Sequence, residues 1–257
     1  MIKEKRLKKI QEYVLKNESA SLDELVDVFQ VSKNTIRRDV QELVESGEFK
    51  KVYGGIAVMK KELESFQDRK VQNLTGKQKI GELAASFIED GDIIFIDSGT
   101  TTVETFEHIK EKRLTVLTNN LEFIFHATNY QNINIISTGG ILERETNSFS
   151  NYNNLDIIKL YNINKAFMAS TGISISNGVT NSSPYETLLK RTIVEKSNQV
   201  FLLVDHKKFD KYGLMTYCQL KDLHYVITDE LPPKTYQEYF NEHNTPIVCP
   251  SRADKKF

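Results

Sequence analysis

Cysteine is almost missing from this chain: Cys218 and Cys249 are the only two in 257 residues. They have no ligand-type neighbours and fit a reducing compartment better than a disulfide framework, so both read as packing residues. Long apolar runs are missing as well. Stretches such as Ile93 to Ile96, set between Asp92 and Asp97, fall far short of the roughly 20 residues that cross a bilayer. The lysine-rich N-terminus has no apolar signal core, so a cytoplasmic protein with no membrane partner is expected. No Gly-x4-Gly-Lys-Ser/Thr loop and no Gly-x-Gly-x-x-Gly run occurs, which leaves nucleotide hydrolysis and dinucleotide chemistry without support. His108, His126, His206, His224 and His243 are scattered without ligand spacing, so neither a metal nor a cofactor is expected. Nor is there an excess of one charge, with 34 Lys/Arg against 35 Asp/Glu.

What is present is the make-up of an ordinary folded protein, 39% hydrophobic and 27% charged, long enough for one small domain and one of usual size. The first sixty residues hold twelve Lys/Arg and ten Asp/Glu, a surplus of two against a deficit of three in the remainder. So mild an asymmetry decides nothing, and the placement of the cations has to.

Ile2, Leu7, Ile10, Val14 and Leu15 recur at helical spacing and predict a helix over 2–17. Ser21-Leu22-Asp23-Glu24 is a capping box that opens a second helix ending near Phe29. After a tight turn at Gln30 and Val31, Ser32 caps a third helix whose apolar face is Ile36, Val40, Leu43 and Val44, with Gly47 as its stop. The opposite face carries Lys33, Asn34, Thr35, Arg37, Arg38 and Gln41. Arg grips guanine edges bidentately, Asn and Gln read adenine, and Lys and Thr reach phosphates, so this face suits a recognition helix. A solvated cationic face is the plain alternative. The run from Glu48 to Val58, with Lys50, Lys51 and Tyr53 around Gly54-Gly55, alternates like a small β-wing.

The run Val31 to Val40, followed by Gly54-Gly55, resembles the DNA-binding signature of the DeoR family of bacterial repressors. That resemblance implies that Thr35, Arg37 and Arg38 meet operator DNA. The chain departs from the family in the wing, where Lys51 and Tyr53 stand in place of the usual Arg and His.

Residues 59–70 are charged and interrupted only by Leu63 and Phe66, as in an exposed, partly helical connector. From Lys77 a helical stripe leads through Gly91-Asp92 into Ile93 to Ile96. Apolar runs follow at Leu114 to Leu117, Ile133 to Ile136, Ala166 to Ala169, Val200 to Val204 and Tyr225 to Ile227, the pattern of buried parallel strands in a layered α/β fold. The expected organisation is therefore a winged helix-turn-helix over 1–58, a linker over 59–76 and an effector domain over 77–257.

Ligands of such sheets bind beyond the carboxyl ends of the strands. The residues there are small and polar: Asp97-Ser98-Gly99-Thr100-Thr101-Thr102, Thr118-Asn119-Asn120, Gly139-Gly140, Thr171-Gly172 and Asp205-His206-Lys207-Lys208. Each alone is ordinary capping and turn chemistry; together they describe one rim suited to a phosphate. The same loops resemble the DeoR-type sensor domain, and the resemblance covers nearly the entire chain. It implies a Rossmann-like layered fold of the ribose-phosphate isomerase and glucosamine-phosphate deaminase type, an effector that is a phosphorylated sugar, and Glu186 and Lys190 facing it; a surface i,i+4 ion pair is their plain alternative. Val31 to Asp39, Lys51 to Gly55, Phe95 to Thr102 and Tyr161 to Met168 are similar to members that repress myo-inositol catabolism, which implies an inositol-pathway intermediate.

The rival is a sugar-phosphate isomerase or deaminase, with Asp97, Glu186 and Asp205 as its carboxylates. Against it stand Ala169 to Gly172, where the resemblance to those enzymes would require an Asp-rich loop, and the DNA-binding segment, which an enzyme would not need. The expectation is a non-enzymatic repressor without catalytic residues, a homodimer or homotetramer on operator DNA.

Overall fold

Ser21 can cap a helix only if the chain turns sharply there, and it does. A computed structural model describes residues 3–17, 19–45, 49–58, 64–150 and 155–250; within it the chain forms two compact units, residues 1–62 and 63–257. In the smaller unit α1 (Lys3–Asn17) is followed by β1 (Ser19–Ser21), α2 (Leu22–Phe29), α3 (Lys33–Glu45) and the wing strands β2 (Phe49–Val52) and β3 (Gly55–Val58). The Ser21 hydroxyl accepts from the Glu24 amide and Glu24 accepts from the Ser21 amide, the reciprocal box expected from the sequence. Gly54, at φ +74°, closes the β2–β3 turn, and β1 completes a three-stranded antiparallel sheet against β3. Ile10, Val14, Leu25, Ile36, Val40, Phe49 and Ile56 form the core. Leu15, counted in the apolar stripe, is exposed, because one residue turns it about 100° away from Val14. Ile2, Gly47 and Glu48 lie outside the described residues.

The larger unit opens with α4 (Phe66–Val71) and α5 (Leu74–Ala85). Residues 66–76, expected to belong to a connector, are thus largely helical, and Phe66 is buried with Ile80 and Ala84. The chain continues through β4 (Ile93–Ile96), α6 (Phe106–Ile109), β5 (Leu114–Thr118), α7 (Leu121–Ala127) and β6 (Ile133–Ser137). A hairpin of β7 (Ile141–Glu143) and β8 (Ser148–Ser150) follows, then α8 (Leu155–Ile158), β9 (Ile163–Met168), β10 (Gly172–Ser174) and β11 (Gly178–Asn181). The last elements are α9 (Pro184–Lys196), β12 (Ser197–Leu203), β13 (Met215–Cys218), β14 (Tyr225–Ile227), α10 (Lys234–Glu242) and β15 (Ile247–Val248).

Seven strands pair in parallel in the order β15-β14-β12-β9-β4-β5-β6. Alternate side chains face opposite ways along each strand. Phe95, Leu117, Met168 and Leu202 accordingly join one core with α9 and α10, while Ile94, Ile96, Val116, Phe167 and Phe201 join another with α5, α6 and α7. Both faces are covered, as a parallel sheet requires. From β4 the chain moves outward to β5 and β6; from β9 it moves the other way, to β12 and β14. The order therefore reverses between β4 and β9, and the carboxyl ends of those two strands flank the crevice where such sheets hold ligands.

Candidate functional site

In the smaller unit, α3 buries Ile36, Asp39, Val40 and Leu43 and turns Lys33, Asn34, Arg37, Arg38 and Gln41 outward, with Thr35 half-buried. Ser32 accepts from the Thr35 amide and shares a 2.9 Å hydroxyl contact with Thr35, so both are partly spent in starting the helix. Lys33 pairs with Asp23 at 2.5 Å and Gln41 donates to Glu45. Arg37 and Arg38 have no partner among the described residues. Arg37, Arg38, Gln41 and Lys51 line one groove between α3 and the wing, and Lys50 and Tyr53 stand exposed on the wing itself.

In the larger unit, the loop after β4 is held from below. Asp97 is fully buried; its carboxylate accepts from the Ala169 and Ser98 amides, each at 2.8 Å, and from Lys190 Nζ at 2.7 Å. Lys190 also donates to the Ala169 carbonyl. Glu186, one helical turn earlier on α9, accepts from Ser98 (2.8 Å), Ser148 (2.6 Å) and Asn181 (3.2 Å). Burial pushes its carboxyl up, but Lys190 and these donors outweigh that and leave it below the ordinary carboxylate range. Glu186 and Lys190 are both buried and each bonds elsewhere, so they are not the surface ion pair weighed from the sequence. They tie α9 to the tips of β4 and β9.

Several other rim residues are scaffold too. Thr102 donates to the carbonyls of Asp97 and Gly99, Thr118 to that of Ile96, and Asn120 to that of Asp97 while capping α7. Thr100 and Thr101 are buried within the loop. Gly99 is required where it stands: a Cβ there would lie 2.2 Å from Ala169 Cβ. Gly139 and Gly140, at φ +63° and +113°, turn the chain from β6 into the hairpin. Gly172 lies against the Lys211 backbone, and Thr171 receives a hydrogen bond from Ser182. Asp205 caps the short 3-10 turn His206–Lys208 by accepting from the Lys207 amide.

Two residues that the sequence did not single out complete the site. Arg69 on α4 and Lys77 on α5 lie close enough to Lys208 for all three charges to act on one another. Lys77 is 3% exposed and donates to the Arg69 carbonyl; burial lowers its amine to about 8, against the pull of Asp205 and with the repulsion of Lys208 and Arg69. Burial also lowers Arg69 and Lys208. Arg69 donates from Nε to the Glu64 carbonyl and from Nη2 to that of Glu145. The three converge from residues 69, 77 and 208, a grouping no local pattern displays. The fold also brings His206 beside Asp229 and Glu230, with ligand atoms within 4.8 Å of one another. There Asp229 already accepts from the His206 amide, His206 Nδ1 and Asn73, which accounts for the arrangement without an ion.

The chain matches the DeoR-like helix-turn-helix domain over residues 6–62 and the DeoR C-terminal sensor domain over residues 72–230. It is 43% identical to the HTH-type transcriptional regulator IolR of Bacillus subtilis over 94% of this chain and 97% of that protein. It is 30% identical to the glycerol-3-phosphate regulon repressor of Escherichia coli, over 91% and 94%. Among solved structures, a D-ribose-5-phosphate isomerase in complex with phospho-erythronic acid matches 52% of each chain at 16% identity with a TM-score of 0.39, too distant to speak for site or reaction.

Proposed function

Since the chain belongs to the DeoR family of helix-turn-helix transcriptional regulators, we propose that it represses a carbohydrate-catabolic operon and leaves its operator when a phosphorylated sugar-like metabolite fills the strand-tip site. The observation that carries the effector half is the crowding of Arg69, Lys77 and Lys208. Burial disfavours the charged form of each although Asp205 stands among them, and an incoming dianion would favour that form, beside a loop of hydroxyls and amides. Within that class we favour an intermediate of myo-inositol breakdown, on the similarity of the runs at Val31, Lys51, Phe95 and Tyr161 to inositol-catabolism repressors.

Holding without converting is supported by the fate of the carboxylates. Asp97 is engaged by Lys190 and two amides, Glu186 by Ser98, Ser148 and Asn181, and Asp205 by the Lys207 amide. Asp97 and Glu186 are thus held by three partners each, which argues against their use as bases for proton transfer next to a carbonyl. DNA contact falls to Arg37 and Arg38, with Lys33, Asn34, Gln41 and the wing lysines as anchors. The working form is a cytoplasmic homodimer or homotetramer, since a symmetric operator needs two recognition helices.

The test is a thermal-shift screen of sugar and inositol phosphates, followed by titration of each hit against DNA enriched by selection on the protein. A stabilising ligand that weakens DNA binding is expected. Turnover of the ligand with no effect on DNA binding would point to an enzyme instead.

A further inference from the structure

Four buried side-chain atoms have no hydrogen-bond partner among the described residues: both amide atoms of Asn119, the hydroxyl of Thr138 and the hydroxyl of Ser170. All three residues sit at the same end of the same sheet. Asn119 follows β5, Thr138 follows β6, and Ser170 comes two residues after β9. Their neighbours are saturated: Thr118 and Asn120, on either side of Asn119, both donate to backbone carbonyls. Among the described residues no other buried side-chain nitrogen or oxygen lacks a partner. Asn119 is fully buried, Thr138 and Ser170 half-buried; a buried amide with neither donor nor acceptor satisfied costs free energy, so such a group calls for a partner, water or ligand.

We infer that Asn119, Thr138 and Ser170 form a second, uncharged subsite that reads hydroxyl groups of the effector, with the Asn119 amide matched to a vicinal diol. This rests on the reading of the strand tips as an effector site. The sheet order gives the subsite a direction. Lys77 and Lys208 gather around Asp205, at the end of β12; the unpartnered atoms run from β9 across β4 to β5 and β6. Ser170, after β9, stands one strand from that place, and Asn119 and Thr138 lie two and three strands further on, at a spacing of about 4.8 Å per strand. An amide offers donors on one atom and an acceptor on the other, which adjacent hydroxyls answer when one accepts and the next donates. Asn119 is wholly buried under the hairpin, whose Phe149 amide donates to the Asn119 carbonyl at 2.8 Å.

Near-isosteric variants of the full chain test this: Asn119→Leu, Thr138→Val and Ser170→Ala. Calorimetry with inorganic phosphate, phenyl phosphate, glucose 6-phosphate and myo-inositol 1-phosphate reads binding, and thermal unfolding reads the free protein. The unaltered chain is expected to favour at least one of the two polyol phosphates over phenyl phosphate by about tenfold or more, since sites built to bond hydroxyls reject analogues without them. Each variant should lose that preference, keep its affinity for inorganic phosphate, and unfold at the same or a higher temperature. A lowered unfolding temperature for Asn119→Leu would show that the amide has a structural partner and overturn the inference. So would an undiminished polyol preference in Thr138→Val and Ser170→Ala, which decide the matter if Asn119→Leu does not fold. Binding of inorganic phosphate without any polyol preference removes the subsite alone; failure of every phosphate to bind removes the effector site beneath it.

Discussion

Asp39 lies in the middle of the recognition-helix run, between Arg38 and Val40, yet is buried and accepts from Arg6 Nε at 2.5 Å and Nη2 at 3.0 Å. One side chain of that run faces inward to hold α1 against α3 while its two arginine neighbours face outward, and mutation should separate the two roles. Arg37→Ala or Arg38→Ala is expected to weaken specific DNA binding by about 1–3 kcal/mol each and leave the melting temperature unchanged. Asp39→Ala should instead cost the smaller unit about 1–3 kcal/mol, by stranding a guanidinium. Equal losses of stability in all three variants would count against the division. Lys77 makes a prediction in pH. Its amine is lowered to about 8 in the folded chain from an ordinary 10.5, so between those values the unfolded chain holds a proton that the folded chain has released. This group's contribution to stability therefore rises with pH across that window. A bound anion favours the charged amine and takes up a proton, so phosphate-ester affinity is expected to fall as pH rises past about 8. Calorimetry in buffers of different ionisation heat checks this, and Lys77→Met should flatten the profile.

At the scale of elements, α2 was legible because everything that starts it is local. The box at Ser21 and Glu24 sits within four residues, and Tyr13 braces it by donating to Glu24 at 2.9 Å. Ser21→Ala should destabilise the smaller unit by roughly 1 kcal/mol, read by thermal melting, with no change in the larger one. Strands β4 and β14 run as their apolar residues indicate, and β9 begins earlier, at Ile163, because Asn164 and Lys165 are held by Ile93 and Asp92. The hairpin β7–β8 and the small sheet of β10, β11 and β13 were not legible. Their strands are three or four residues long and exist only because distant segments arrive to pair with them. Gly99 belongs to this scale too, since it lets the loop after β4 lie against the tip of β9. Gly99→Ala is expected to cost the larger unit about 1–3 kcal/mol by overpacking and to abolish effector binding.

For the whole molecule, regulation amounts to a coupling free energy between DNA and effector. A coupling of about 1–3 kcal/mol corresponds to a change of roughly 5- to 150-fold in operator affinity, and DNA must weaken the effector by the same factor. Titrating effector with and without operator DNA measures both sides of that cycle; unequal factors would mean that more than one equilibrium is being read. The sequence alone determined the pieces written in short range: a helix of the helix-turn-helix with two arginines on its polar face, a wing, and a parallel sheet edged with small polar residues. Tertiary structure decided which of those residues are available. Asn119 and Asn120 are adjacent and chemically identical, yet one side chain is spent on capping α7 while the other has no partner among the described residues. Lys190 reaches Asp97 across 93 positions, and Arg69, Lys77 and Lys208 meet only when α4, α5 and the end of β12 pack together. Helix and strand patterns repeat over a few residues and can be read along the chain, whereas hydrogen-bond partners and charge neighbours are set by what folding brings within about 3–6 Å.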